Sequence, residues 1–138
     1  MGKAIEAIAQ QRGHQIAGRL DIDNRDAFDA TTPVDVAIEF THPDAAVSNL
    51  RWALQKGWPV VVGTTGWYDH LPEIKAEVAR LNGALLHASN FSLGVNLFFK
   101  LSEYLARLMD SHPTYDVVLD ETHHTQKKDA PSGTAITL

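Results

Sequence analysis

The stretch Glu121-Thr122-His123-His124-Thr125-Gln126-Lys127-Lys128-Asp129-Ala130-Pro131-Ser132-Gly133-Thr134 has the densest chemistry in the chain. It holds two histidines, two lysines, the carboxylates Glu121 and Asp129, and a turn rich in small residues. Successive backbone amides at Ser132, Gly133 and Thr134, opening a helix, suit a carboxylate or phosphate. A nearby lysine offers positive charge to the same anion. A histidine offers a proton near working pH. Together these parts describe a site for an anionic substrate that needs a proton. The alternative is a solvated loop with scattered charge. A metal site is not predicted. Neighbours such as His123 and His124 point to opposite faces of an extended chain, and no third ligand stands at a telling spacing.

Three other segments carry weaker signals. Gly63-Thr64-Thr65-Gly66 follows the apolar run Val60-Val61-Val62, where ligands of open α/β sheets bind. Asp21 ends a predicted strand and stands where a dinucleotide fold places its ribose-binding acid. The next residue is Ile22 rather than a cation, although Arg19 and Arg25 are close, so Asp21 leans toward NADH over NADPH. Phe40-Thr41-His42-Pro43 closes another strand at the same predicted edge. It reads as a cofactor-lining segment or as a helix cap beside a core aromatic. Trp52, Trp58 and Trp67 form no spaced stripe and read as packing.

The elements that must position these groups follow from periodicity and punctuation. Helices are predicted over residues 2–12, 43–56, 71–81 and 94–110, with Gly13, Gly57 and Asn82-Gly83 as stops. Thr41 is expected to cap the second helix and Pro43 to occupy its first turn. Strands are predicted over 15–21, 34–40, 59–62, 84–88 and 115–120, and a loop over 23–33. The run 59–62 is wholly apolar, as in a parallel sheet covered on both faces. The last helix carries Leu97, Leu101, Tyr104, Leu105 and Leu108 on one side, which reads as core or subunit contact. Strands alternating with helices imply parallel βαβ units, hence an α/β, Rossmann-type sheet. A mixed α+β lobe begins after a polar hinge at Ser89-Asn90-Phe91-Ser92.

Composition sets the outer bounds. With 138 residues, 44% hydrophobic and 21% charged, the chain can bury a core and is not disordered. Twelve Lys plus Arg stand against seventeen Asp plus Glu, net charge −5, so no nucleic-acid partner is expected. With no cysteine, disulfides and thiolate zinc sites are impossible. No apolar stretch approaches the roughly 20 residues of a bilayer span. The chain reads as soluble and cytoplasmic, with no membrane partner.

Four motifs occur in order: Val36-Ala37-Ile38-Glu39-Phe40-Thr41-His42-Pro43, Val62-Gly63-Thr64-Thr65-Gly66, Asn90-Phe91-Ser92-Leu93-Gly94-Val95-Asn96, and Glu121-Thr122-His123-His124 through Lys127 to Asp129-Ala130-Pro131-Ser132-Gly133-Thr134-Ala135. Together they resemble the 4-hydroxy-tetrahydrodipicolinate reductases, also called dihydrodipicolinate reductases, over nearly the whole chain. The resemblance implies NAD(P)H-dependent reduction of a cyclic dicarboxylate imine precursor in the diaminopimelate route to lysine. It also implies a Rossmann-type lobe, a substrate lobe and a homotetramer. His123 is then the general acid, and Lys127 holds and polarises the substrate. His124, Ser132, Gly133, Thr134 and Thr65 contact the substrate. Asp21, Phe40, Thr41, Gly63, Thr64, Thr65, Ser89, Asn90 and Phe91 line the cofactor or the hinge.

On that resemblance residues 1–89 form part of a dinucleotide-binding domain, and 90–138 part of a substrate-binding and oligomerisation domain. The family's opening strand and glycine-rich pyrophosphate loop are missing, apart from a tail resembling Met1-Gly2-Lys3, and the chain stops within a helix. This chain alone is therefore expected to be a poor enzyme. Ser89, where alanine is usual, and Thr125-Gln126 are smaller departures. Two rivals stand beside this reading. One is another two-lobe nicotinamide dehydrogenase. The other is a non-catalytic fragment that serves only for binding or assembly.

Overall fold

The computed structural model describes residues 1–21, 24, 28, 31–125, 127 and 130–138. The chain divides into two compact units, Met1–His87 and Ala88–Leu138. Arg25, Gln126, Lys128, Asp129 and most of the predicted loop over 23–33 lie outside the described residues.

In the first unit helix α1 (Gly2–Gln11) is followed by β1 (Ala37–Glu39), α2 (Pro43–Gln55), β2 (Val60–Val62), a 3-10 turn (Tyr68–His70), α3 (Leu71–Arg80) and β3 (Leu85–His87). The strands run parallel in the order β1-β2-β3, with Ala37, Val60 and Leu85 in line across the sheet. The predicted stops hold for a steric reason. Gly13, Gly57 and Asn82 take positive φ, a conformation that glycine and asparagine adopt most readily.

The core lies between the sheet and the pair α2–α3. Ala46, Leu50, Ala53 and Leu54 of α2 pack with Trp58, Val60, Val62, Trp67 and Ile74. Arg51 ties the two helices on the outside, through Glu73 at 3.0 Å and Glu77 at 2.9 Å. Trp58 and Trp52 meet edge to face with centroids 5.2 Å apart, and Phe28 stands 5.5 Å from Trp58. The tryptophans are packing residues, as their irregular spacing suggested.

Four expectations are corrected. Residues 15–21 form no strand. A strand exists by pairing, and β1 pairs only with β2, so no ladder reaches this segment among the described residues. Asn24 folds it back instead, taking the Asp21 N–H at 2.7 Å and donating to the Arg19 carbonyl at 3.0 Å. Residues 115–120 likewise join no ladder among the described residues, and Val117 and Val118 are left exposed. Full cover on both faces of the sheet is not found among the described residues: Ile38 and Leu86 are half exposed. Finally, His42 occupies the cap position of α2, because the Thr41 hydroxyl is already given to Glu39.

In the second unit α4 (Leu93–Met109) begins at Ser92, whose hydroxyl accepts the Val95 N–H. Its stripe Leu97, Leu101, Tyr104, Leu105 and Leu108 stays exposed, so within this unit it is not core. The short α5 (Gly133–Thr137) closes the unit. Among the described residues no helix is long and apolar enough to cross a membrane.

Candidate active site

Parallel strands deliver their following loops to one edge of the sheet. Here β1 leads into Phe40-Thr41-His42-Pro43 and β2 into Gly63-Thr64-Thr65-Gly66. These two loops and Met1 enclose an open cleft of about 280 Å³, lined by Phe40, Thr41, Pro43, Gly63, Thr64 and Thr65. Five predicted cofactor residues thus meet at the carboxyl edge of the sheet, where ligands of such folds bind.

The loops are latched together. The Gly63 N–H donates to the Glu39 carbonyl at 2.9 Å, and the Thr41 N–H to the Thr64 hydroxyl at 2.8 Å. Buried Trp67 donates its indole N–H to the Thr64 carbonyl at 2.7 Å. Gly63 has no room for a side chain. A Cβ there would lie 2.1 Å from the Phe40 ring, so the ring sits directly beside the Gly63 backbone.

Glu39 is a residue that sequence reasoning passed over. It is 7% exposed. One carboxylate oxygen takes the Thr41 hydroxyl and, at 3.4 Å, the Asn49 amide, whereas Oε2 has no hydrogen-bond partner among the described residues. A polar residue interrupting an apolar strand just before this loop was the available signal.

Asp21 does not line this cleft. Its neighbours Leu20 and Asn24 line a second hollow of about 370 Å³, together with Ala17, Gly18, Arg19, Phe28 and Thr32. Arg19 is paired with Glu6 of α1.

The histidine motif, with Ser89, Asn90 and Phe91, belongs to the second unit. Asn90 takes the Ser92 N–H at 2.8 Å and its carbonyl takes the Asn96 amide at 3.0 Å, which braces the start of α4. Ser89 meets Thr137 at 3.4 Å, and Phe91 is exposed.

Within the motif Glu121 is the organiser. Its Oε2 lies 3.0 Å from His123 Nε2, and its Oε1 accepts the Ser132 N–H at 2.9 Å. The Ser132 hydroxyl accepts the Ala135 N–H at 3.0 Å, capping α5. The expectation that the Ser132 amide is open to a ligand is therefore corrected: that N–H is given to Glu121, and Ser132 is 3% exposed. The N–H groups of Gly133 and Thr134 have no acceptor among the described residues. The Lys127 N–H donates to the His124 carbonyl at 3.0 Å, a turn that brings both residues to one end of the motif. Among the described residues no three His, Asp or Glu side chains converge as metal ligands.

Hydrogen bonds from the Ser132 side chain and backbone, then from His123, hold the Glu121 carboxyl down at about 2, against an ordinary 4.5. Glu121 is charged, and acceptor-only, at any working pH. A depressed carboxyl stabilises the fold above its unfolded value and loses that contribution as pH falls through its folded value. The loop contacts of Glu121 are thus complete above about 4.5 and vanish as pH falls through about 2. A carbon-13 titration of the Glu121 carboxyl is expected to show its midpoint near 2; a midpoint near 4.5 would mean the bonds to Ser132 and His123 are absent in solution.

Family models cover both units in order. The model described as dihydrodipicolinate reductase, N-terminus, matches residues 1–91, and the C-terminal one matches 94–138. Proteins named 4-hydroxy-tetrahydrodipicolinate reductase are similar along the chain. The one from Christiangramia forsetii is 46% identical over the whole chain, which spans 58% of it. Those from Alkaliphilus metalliredigens and Methanocaldococcus jannaschii are 38% and 40% identical over 100% and 83% of the chain, or 56% and 41% of their own lengths. The chain therefore spans about half the length of the curated relatives it matches. Two family models in sequence order, together with identity of this level across both units, show that the chain belongs to the dihydrodipicolinate reductase family.

Proposed function

We propose that this chain carries the nicotinamide end and the proton-donating loop of a 4-hydroxy-tetrahydrodipicolinate reductase acting in the diaminopimelate route to lysine. The observation that carries the reading is the 46% identity, over the whole chain, to a protein of that name. Residues 1–89 serve the cofactor and 90–138 the substrate and its assembly.

The cleft suits a nicotinamide ring. The Phe40 ring lies against Gly63 and lines the cleft, and Thr41, Thr64 and Thr65 line it beside the ring. The cofactor, NADH or NADPH, supplies a hydride to the conjugated cyclic imine. In sequence Asp21 is followed by Ile22, with Arg19 and Arg25 near, and an acid at the ribose position leans toward NADH. On the substrate side, Lys127 and His124 face the dicarboxylate, and the amides of Gly133 and Thr134, without an acceptor among the described residues, hold one carboxylate, with Ser132 fixing their turn. Hydride addition leaves an anionic carbon conjugated to the ring nitrogen. The His123 imidazolium gives its proton to that carbon and becomes neutral. Atoms balance once the 4-hydroxyl of the substrate has left as water to give that conjugated imine: one hydride and one proton would then enter, and the cofactor would be left oxidised. The exposed leucines and Tyr104 of α4 support a homo-oligomer, a tetramer as the resemblance implies. A cytoplasmic setting suits this chemistry.

The test is a coupled assay, in which a synthase makes the unstable substrate from pyruvate and aspartate semialdehyde while NADH absorbance is followed. Consumption that depends on the synthase supports the reading; cofactor consumption with another carbonyl substrate instead would turn it toward a different dehydrogenase. The cofactor half is tested separately. Gly63→Ala drives a methyl into the Phe40 ring, an overpacking of about 1–3 kcal/mol. The displaced Phe40 ring is expected to raise the Kd for NADH, read by fluorescence titration. An unchanged Kd would remove Phe40 and Gly63 from the nicotinamide end.

A further inference from the structure

The proton-donating loop contains a carboxylate that the mechanism above does not use. Glu121 stands two residues before His123, and its two oxygens are divided between two partners. Oε2 faces His123 Nε2 at 3.0 Å, and Oε1 takes the Ser132 N–H at 2.9 Å, eleven residues on. The carboxylate thus closes the whole loop, from the histidine to the turn before α5. The side chains are partly shielded, with Glu121 28% and His123 38% exposed.

We propose that Glu121 is the positioning residue of this loop: it fixes the hydrogen of neutral His123 on Nε2, so that Nδ1 is the nitrogen that delivers the proton. The proposal rests on the reading of His123 as the proton donor. Its logic is one of donors and acceptors. An ionised carboxylate only accepts, so the ring nitrogen facing it must carry a hydrogen. In the imidazolium both nitrogens carry one. The Nδ1–H bond breaks, the proton joins the substrate carbon, and Nε2–H stays on Glu121. The same carboxylate sets the distance from the donor to the Gly133 and Thr134 amides, because Ser132 is held by its other oxygen. A carboxylate that holds a catalytic imidazole in one tautomer and orientation is a recurring device in acid–base sites.

The first test needs no activity. The chain is labelled with nitrogen-15 in histidine and in the backbone and studied by NMR. In the unsubstituted chain His123 is expected to show its proton coupled to Nε2 and visible at neutral pH, with the Ser132 amide protected from exchange. Glu121→Ala is expected to abolish both signals of protection while leaving the His124 ring signals in place. Glu121→Gln, with one acceptor oxygen, is expected to release one partner and keep the other. It also provides a reading should the alanine variant not fold. A His123 proton on Nδ1, or protection unaltered in both variants, overturns the proposal.

The second test is kinetic. Glu121→Ala is expected to lower kcat about tenfold to a hundredfold, less than loss of the acid itself, with KM for the substrate little changed. In a His123→Ala background the same substitution is expected to cost no further factor, because residues acting through one group are not additive. A cost that persists in that background would make Glu121 merely structural and overturn the proposal. Absence of reductase activity in every variant, with the NMR result standing, would overturn the functional reading and not the clamp.

Discussion

Replacing His123 by alanine is expected to lower kcat by about 10²–10⁴-fold and to leave KM for the substrate nearly unchanged, because a positioned general acid contributes about that factor. In the proposed reaction the proton joins a carbon on which anionic charge exists only after hydride addition. A group that acts only there stabilises the transition state and not the bound ground state. Lys127 differs. In the proposed role its positive charge would attract the substrate carboxylates before and during reaction, so Lys127→Ala is expected to raise KM as well as lower kcat. His124→Ala is the control within the motif. It stands beside His123 in sequence, yet only His123 meets Glu121. The measurement is the coupled NADH assay across substrate concentrations. Equal losses in His123→Ala and His124→Ala would sink the assignment of the acid to His123.

Trp67→Ala is expected to destabilise the first unit by about 3–5 kcal/mol, the cost of emptying a large core site. Trp67 is 1% exposed and packs in one cluster with Leu50, Leu54, Val62 and Ile74. Its indole N–H also holds the Thr64 carbonyl at 2.7 Å. The cavity and the lost bond fall on the same loop, so cofactor affinity is expected to drop beyond what partial unfolding explains. Trp67→Phe separates the two effects. It keeps most of the packing and leaves the Thr64 carbonyl without its donor, at a cost of about 1–3 kcal/mol. Urea unfolding followed by circular dichroism gives both values. An alanine variant within about 1 kcal/mol of the parent would show that the loop is held by other contacts.

The candidate site was legible in unequal parts. The loop residues Phe40, Thr41, Gly63, Thr64 and Thr65 could be chosen in advance, because each follows an apolar run that parallel sheets turn into a strand. The positions of Gly13, Gly57 and Asn82 could be chosen too, since positive φ is a property of single residues. Glu121 was visible only as a charge near two histidines. Its spacing of two from His123 puts both side chains on one face of an extended segment, a signal that alternation carries. What spacing does not carry is the bond to Ser132, eleven residues away, which needs the chain to return on itself.

Periodicity and stops therefore settled the α/β class and the helices, because these depend on residues within a turn or two of each other. The strands expected over 15–21 and 115–120 did not form, since a strand is defined by a neighbour and no local pattern supplies one. For the same reason the stripe on α4 gave a helix but not its covering, and Leu101 and Leu105 lie exposed in the second unit. The spent amide of Ser132 and the buried carboxylate of Glu39 also belong to the three-dimensional arrangement. Each depends on which donors and acceptors meet across the fold, and that pairing is made only when distant segments compete for the same hydrogen bonds.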